Sequence, residues 1–193
     1  MTNIFFTADC HFNHANIILP SYANRPFLKH GDTIGDTNLW KSYKIKSARC
    51  NWMNEEIIKR WNHKVKPNDI VYHLGDFCFK GNSKEFEDKL NGKIIHIMGN
   101  HDYNNGVKSL IKCCIMEFGN MVFLVQHVPP TMDIEIPEFV DVVLCGHVHQ
   151  HWKLSFSPDT KVPIINVGVD VWNFEPVSIH SILKYIKKIR EGK

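Results

Sequence analysis

Four short clusters of polar residues occur in this chain, and each follows an apolar run. They are Asp9-Cys10-His11, Gly75-Asp76-Phe77, Gly99-Asn100-His101-Asp102 and Gly146-His147-Val148-His149, with a lone Gln126-His127 between the last two. Short apolar runs are typical of buried strands, so the clusters are expected in loops at strand ends, where their side chains can converge on one rim. Carboxylates, imidazoles and an amide that converge in this way predict a metal site.

The residue types indicate which metals such a site would take. Asp, His and Asn provide hard or borderline oxygen and nitrogen ligands, which suit Mn, Fe, Zn or Mg and are poor for soft copper chemistry. One ion needs only three or four ligands, whereas the chain offers seven candidates: Asp9, His11, Asp76, Asn100, His127, His147 and His149. The set is large enough for two ions with one bridging carboxylate. Two-metal sites typically hold the attacking and leaving oxygens of a phosphoryl displacement.

The order of these clusters resembles the calcineurin-like metallophosphoesterase superfamily. The motifs are Asp-x-His, Gly-Asp, Gly-Asn-His-Asp, a separate His and Gly-His-x-His, and together they run from Asp9 to His149. The opening stretch 7–14, the Arg25-Pro26-Phe27 segment and the late stretch 166–170 also resemble a small single-domain bacterial and phage branch of that superfamily. The resemblance indicates the chemistry more closely than the substrate.

The resemblance also implies a role for each residue of the site. Three side chains would hold the first metal, three would hold the second and one would bridge them: Asp9, His11 and His149, then Asn100, His127 and His147, and finally Asp76. A hydroxide shared by the two ions would be the nucleophile. His101 would donate a proton to the leaving oxygen, and Asp102 would orient it through its other ring nitrogen. Manganese is the expected metal, with Fe, Zn, Ni or Mg as alternatives.

These roles predict an enzyme that hydrolyses a phosphodiester, such as a cyclic nucleotide or a nucleic-acid end. A proton donor such as His101 helps most when the leaving alkoxide is basic, which favours diesters. The alternatives in the same site are a phosphomonoesterase and a nucleotide pyrophosphatase. An alternative of another class is a catalytically inactive scaffold, like the retromer subunit that shares this fold. A scaffold would be expected to have lost ligands or the proton donor, and this sequence has lost none.

The least regular part of the sequence is the segment 12–50, which separates the first two clusters. Long ordered loops are uncommon unless they serve a site, so this segment is interpreted as a substrate-facing insertion over the metal rim. His14, Arg25 and Arg49 are its candidates for binding a substrate phosphate. The proline after Arg25 favours an extended backbone, and the guanidinium fork suits phosphate oxygens. The alternatives are a packing role for the segment and a surface ion pair for Arg25.

Length and composition agree with a single globular domain. A chain of 193 residues falls within the range of one domain, expected here over 1–193. The net charge of +3 is too mild to indicate a dedicated nucleic-acid binder, although a local basic rim would still permit nucleic acid. The expected partner is a phosphorylated small molecule or nucleotide, and the sequence leaves the oligomeric state open.

The cysteines and the apolar runs indicate the cellular compartment in which the protein is expected. None of the six cysteines belongs to a Cys-x-x-Cys pair or to a secretory framework. The chain shows neither a signal-peptide pattern nor an apolar run long enough to span a bilayer, so no membrane partner is expected. The sequence therefore predicts a protein of the reducing cytoplasm.

The apolar runs predict a layered α/β or α+β domain with two packed sheets flanked by helices. Strands are expected over 4–8, 69–74, 93–98, 121–126, 141–145, 163–167 and 177–179. Helices are expected around Met53 to Trp61, over 83–90 with Asn82 or Ser83 as the cap, and over 181–190. A sandwich of two sheets is also what the family resemblance implies.

Overall fold

The computed structural model describes residues 2–18, 25, 42–130 and 136–192, and its first sheet has four strands. In spatial order these are β3 (Lys93–Ile97), β2 (Ile70–Leu74), β1 (Ile4–Thr7) and β9 (Val177–Ser178). The strands β1, β2 and β3 run parallel, whereas β9 pairs antiparallel with β1. The carboxyl ends of three parallel strands therefore meet at one edge of this sheet.

The second sheet has five strands. In spatial order they are β4 (Cys113–Phe118), β5 (Met121–Gln126), β6 (Val142–Cys145), β8 (Pro163–Asn166) and β7 (Leu154–Phe156). The central strands β5, β6 and β8 run parallel, and the outer strands β4 and β7 pair antiparallel with them. A parallel bridge between Ala8 and Gly168 joins the end of β1 to the end of β8, so the carboxyl edges of both sheets meet there.

The main core lies between the two sheets. Phe6 and Leu74 from the first sheet and Phe123, Leu144 and Ile165 from the second are fully buried in one cluster. The sheets thus pack face to face, which confirms the predicted two-sheet fold of the α/β class.

Among the described residues, two helices cover the outer face of the first sheet, and a third contributes Ile182 and Ile186 to the main core. Helix α1 (Tyr43–Lys64) buries Met53, Ile57 and Trp61, which are spaced by four residues and so share one face of the helix. They pack with Val71 of β2 in a second core cluster. Two further helices, α2 (Ser83–Glu87) and α3 (Ile179–Arg190), lie close to the predicted positions. Asn82 caps α2, because its side chain accepts a hydrogen bond from the amide of Glu85.

Sequence patterns missed two strands and one helix start. The strands β4 and β7 lie at the edges of their sheet. β4 has the apolar run 113–116 but alternates exposed and half-buried residues, and β7 has only three residues with a serine at its centre, so neither resembles a fully buried central strand. Helix α1 begins at Tyr43, so residues 43–50 of the predicted insertion are helical. The helical spacing of buried apolar residues starts only at Cys50 and Met53. The sequence pattern therefore did not indicate the earlier turns of this helix. Residues 15–18 form a short 3₁₀ helix, and 19–24 and 26–41 lie outside the described residues.

Within the described ranges, no helix combines the length and the apolar character needed to cross a membrane. The six cysteines are free thiols.

Candidate metal centre

The seven predicted ligands lie in loops that leave the carboxyl ends of parallel strands. Asp9 and His11 follow β1, Asp76 follows β2, Asn100 follows β3, His127 follows β5, and His147 and His149 follow β6. Since these strand ends share one edge of the sandwich, residues up to 140 positions apart in sequence converge there. The fold thus brings together the clusters that the sequence predicted to converge.

Three of these residues form one ligand group. The ligand atoms of Asp9, His11 and His149 lie within 4.8 Å of one another. Asp9 and His11 are buried and His149 is half-buried. The Nδ1 atom of His149 lies 2.9 Å from Oδ2 of Asp170, so a carboxylate orients this imidazole and leaves Nε2 to bind a metal.

Asp76, His127 and His147 form a second ligand group, again within 4.8 Å. The Nδ1 atom of His127 donates a hydrogen bond of 2.7 Å to the carbonyl oxygen of Leu74, so Nε2 is the ring nitrogen that faces the other members of the group. Oδ1 of Asn100 lies 3.0 Å from this Nε2 and 3.1 Å from Nδ1 of His147. Asn100 therefore completes the second group, as the resemblance implies.

Asp76 lies between the two groups. Its Oδ2 is 3.6 Å from Nε2 of His11 in the first group and 3.4 Å from Nε2 of His127 in the second. Its Oδ1 accepts a hydrogen bond of 3.0 Å from the amide of His101. One oxygen of this carboxylate thus faces both groups, which is the position that a bridging ligand requires.

The polar atoms of the site fit a cation. The Nε2 atom of His11 is buried and has no hydrogen-bond partner, although it faces Asp76. A buried polar atom without a partner is costly, and a metal ion at this position would satisfy it. Burial raises the pKa of Asp9 to about 6. Burial also opposes protonation of His127, but its hydrogen bond to Asp76 and the charge of Asp9 outweigh this and raise its pKa to about 9. A cation would neutralise the same carboxylates.

Backbone strain is concentrated at these residues. Five of the seven predicted ligands have a positive φ: Asp9 at 58°, His11 at 51°, Asp76 at 58°, His147 at 71° and His149 at 48°. The left-handed region costs an L-residue about 1–2 kcal/mol, although Asp and His enter it more often than most residues do. Such strain is typical of functional sites, where it aims side chains at a shared point.

Gly75 allows the loops to approach each other this closely. Its φ is +89°, and a Cβ atom at this position would lie 2.7 Å from Nδ1 of His127. A larger residue would therefore displace a ligand as well as strain the turn.

His101 lies at the exposed rim of the site, next to the first ligand group. Its ring centroid is 5.9 Å from that of His11 and 5.2 Å from that of Phe79. The structure thus places His101 beside the predicted ligands without making it one of them, which suits the predicted proton donor.

Asp102 occupies a different position from the one predicted. Its carboxylate is buried and accepts hydrogen bonds from three backbone amides: those of Asp76 at 2.9 Å, Phe77 at 2.9 Å and Gly99 at 2.8 Å. These amides, and not the ring nitrogen of His101, are its partners. Asp102 therefore ties the loop after β2 to the loop after β3 and positions Asp76 and His101 through the backbone.

Arg25 is also placed differently from the prediction. Only 1% of the residue is exposed, and Nε and Nη2 bind the two oxygens of Asp170 at 2.9 and 3.1 Å. The remaining donors bind the carbonyl oxygens of Asp9 and Cys10. The guanidinium fork is thus saturated by the protein and cannot bind a substrate phosphate. It supports the first ligand group from behind.

The other two predicted substrate-binding residues differ from each other in position. His14 is half-buried at the rim, with its Nδ1 3.1 Å from Nδ1 of His11, and its ring stacks on Phe79 at 3.8 Å between centroids. Arg49 is buried within α1. Only His14 therefore lies where it could contact a substrate bound at the site.

Asp170 is a functional residue to which the sequence assigned no role. It accepts hydrogen bonds from both Arg25 and His149. Burial opposes its ionisation, but the charge of Arg25 and the hydrogen bond from His149 hold the pKa of Asp170 below its usual range. The resemblance of the stretch 166–170 to one branch of the family was the signal for it.

We expect Arg25→Ala to lower the free energy of unfolding by about 3–5 kcal/mol, because it leaves the buried carboxylate of Asp170 without its cation. Urea denaturation at neutral pH measures this free energy. A chelator is present, so that metal binding does not contribute to the measured stability. Arg190→Ala, at the exposed end of α3, serves as the control and should change stability by less than about 0.5 kcal/mol. A loss below about 1 kcal/mol for Arg25→Ala would contradict the supporting role.

Comparison with known proteins agrees with this geometry. The model of the calcineurin-like phosphoesterase superfamily domain matches residues 53–183, a range that includes the loops from Asp76 to His149. The chain is 34% identical over 194 residues to the uncharacterized protein MJ1445 of Methanocaldococcus jannaschii, covering 97% of this chain and 93% of that protein.

The chain is also similar to solved structures, and one of them shows the same fold. The protein of unknown function AQ665 from Aquifex aeolicus superposes with a TM-score of 0.64 at 23% identity, over 96% of this chain and all (100%) of that chain. A structure described as that of a novel archaeal phosphodiesterase matches at a TM-score of 0.43 and 20% identity, over 86% of this chain and 84% of that one.

Proposed function

Because this chain belongs to the calcineurin-like phosphoesterase superfamily, we propose that it hydrolyses phosphodiesters with two divalent metal ions bound at the site. Members of this family typically bind divalent metals. The observation that carries the proposal is the position of Asp76 Oδ2, which lies within 3.6 Å of a ligand nitrogen from each group. Nitrogen and oxygen ligands of this kind suit Mn²⁺, the metal we propose first.

The seven candidate ligands would bind the two ions in two groups. Asp9, His11 and His149 would hold one ion, Asn100, His127 and His147 the other, and Asp76 both. Divalent ions held there would supply Lewis acidity to the phosphate and acidify a water for attack.

The rest of the reaction depends on His101 and Asp102. The attacking water loses a proton to solvent as its oxygen forms a bond to phosphorus and the bond to the leaving alcohol breaks. The leaving oxygen takes a proton from His101, which regains one from solvent before the next turnover. Asp102 holds the loops that carry Asp76 and His101 in position, because its carboxylate accepts hydrogen bonds from three backbone amides of these loops.

The presence of His101 at the rim supports a diester substrate over a monoester, since diester hydrolysis releases a basic alkoxide that needs a proton. A phosphomonoesterase or a nucleotide pyrophosphatase would use the same ligands. An inactive scaffold would be expected to have lost a ligand or the proton donor, and this chain keeps all seven ligand candidates and His101. The site residues therefore favour an enzyme. A panel of diesters, monoesters and nucleotide anhydrides separates the phosphodiesterase, phosphomonoesterase and pyrophosphatase activities.

Metal removal tests the proposal. The Mn-loaded protein should contain two ions per chain and hydrolyse bis-p-nitrophenyl phosphate faster than p-nitrophenyl phosphate. A chelator should abolish turnover and lower Tm by about 5–10 °C, because an ion present at 100 times its Kd stabilises the folded state by about 2.7 kcal/mol. Re-addition of Mn²⁺ should restore both.

Two results would contradict the proposed phosphodiesterase, and each points to a different alternative. Two bound metals without turnover of any ester would point to the scaffold, and faster monoester turnover would favour the phosphomonoesterase.

A further inference from the structure

A cavity of about 260 Å³ opens beside the metal centre, between the loop after β1 and the first turns of α1. Its lining includes Asn13, His14, Lys46, Phe79 and Lys80. It is smaller than the pockets of about 300–1,000 Å³ that enclose whole ligands. Its size therefore suits one group of a larger substrate whose reacting phosphate is bound elsewhere.

The cavity is basic. Lys46 and Lys80 both line it, and within the described part of the chain neither ammonium has an ion pair or a side-chain hydrogen bond. The described residues of its lining include no carboxylate. A neighbouring depression of about 490 Å³ is lined by Glu55 and Glu85 together with Lys59 and Lys89, so its charges balance. The first cavity therefore favours an anion, and the second does not.

The cavity lies on the side of the metal centre that carries His101. Phe79 forms part of its wall, stacks on His14 at 3.8 Å and lies 5.2 Å from the His101 ring between centroids. In the proposed function, which this inference rests on, His101 protonates the leaving oxygen. The group attached to that oxygen would therefore extend past Phe79 towards Lys46 and Lys80.

We infer that this cavity binds an additional phosphate carried by the leaving alcohol of the substrate. The preferred substrate is then a phosphodiester with a second phosphate on its leaving side, as in a short oligonucleotide. Lys46 and Lys80 determine this specificity, and His14 and Phe79 form the wall along which the leaving group lies.

Dinucleotides of thymidine test the inference, because TpT, pTpT and TpTp share one diester and differ only in a terminal phosphate. For the Mn-loaded wild-type protein, kcat/KM should be about tenfold higher for pTpT or TpTp than for TpT. Lys46→Ala/Lys80→Ala should remove this advantage, so that the three dinucleotides are hydrolysed with similar kcat/KM. Lys46→Glu/Lys80→Glu should place the favoured dinucleotide below TpT.

The control is Lys184→Ala/Lys188→Ala, which removes the same charge from exposed positions on α3 and should keep the tenfold preference. Equilibrium binding gives a readout without turnover. Thymidine 3′,5′-bisphosphate should bind the Mn-loaded protein about tenfold more tightly than thymidine 5′-monophosphate, and the Lys46→Ala/Lys80→Ala protein should bind both equally.

The outcomes separate this inference from the proposed function. If no diester is hydrolysed, the proposed function is wrong. If TpT is hydrolysed but the terminal phosphate changes neither kcat/KM nor binding, the inference alone is overturned. It is also overturned if the alanine variant keeps the preference.

Discussion

Asp76→Asn is expected to lower kcat by about 10²–10³-fold or more and to prevent binding of the second metal ion. The change keeps the size of the side chain, and Oδ1 of the asparagine can still accept the amide hydrogen of His101. It removes the negative charge of the oxygen that lies between His11 and His127. Metal analysis after dialysis and steady-state turnover of bis-p-nitrophenyl phosphate measure the two effects.

Asp88→Asn is the matched control for this substitution. Asp88 lies at the exposed end of α2 and pairs with Lys84, so the loss of its charge should alter neither metal content nor rate. Two bound metals and a near-normal rate in the Asp76→Asn protein would refute the bridging role.

His101→Ala is expected to slow the hydrolysis of diesters with basic leaving groups by about 10²–10⁴-fold while leaving metal content unchanged. An alkoxide needs a proton as it leaves, whereas a nitrophenolate needs little help. The loss should therefore be much smaller for bis-p-nitrophenyl phosphate than for TpT. Comparison of kcat for the two substrates, together with metal analysis, measures this difference.

His180→Ala, on the exposed face of α3, is the control and should behave as wild type with both substrates. Equal losses on both substrates in the His101→Ala protein would argue against proton donation. A loss of metal would instead make His101 a ligand.

The positions of Arg25, Asp102 and Asp170 change how the site is understood. All three are buried, and each acts on residues of the site without facing a substrate. Arg25 and Asp170 form a buried pair behind Asp9 and His149, and Asp102 connects two ligand loops. Partners of this kind orient metal ligands, and their loss typically reduces metal affinity or activity by about 10–100-fold.

The sequence by itself was sufficient to predict the two-sheet fold and the set of residues that would converge. A buried central strand such as β6 is short and apolar throughout, so the run Val142–Cys145 identifies it locally. The ligand motifs follow such runs directly, and strands that run parallel bring their ends to one edge. These predictions depend only on neighbouring residues and on a general rule of sheet topology.

The tertiary structure decided the roles that depend on distant partners. Arg25 and Asp170 are 145 positions apart in sequence. The residues that flank each of them do not indicate that the guanidinium forms an ion pair with a buried carboxylate. Asp102 accepts hydrogen bonds from backbone amides in the loops after β2 and β3, and these loops meet only once the two strands have paired. The strands β4 and β7 each pair with one neighbour at a sheet edge and have no fully buried residue, so their place in the sheet depends on that neighbour. A local pattern indicates what a side chain is able to do, but burial and the competition among partners determine what it does.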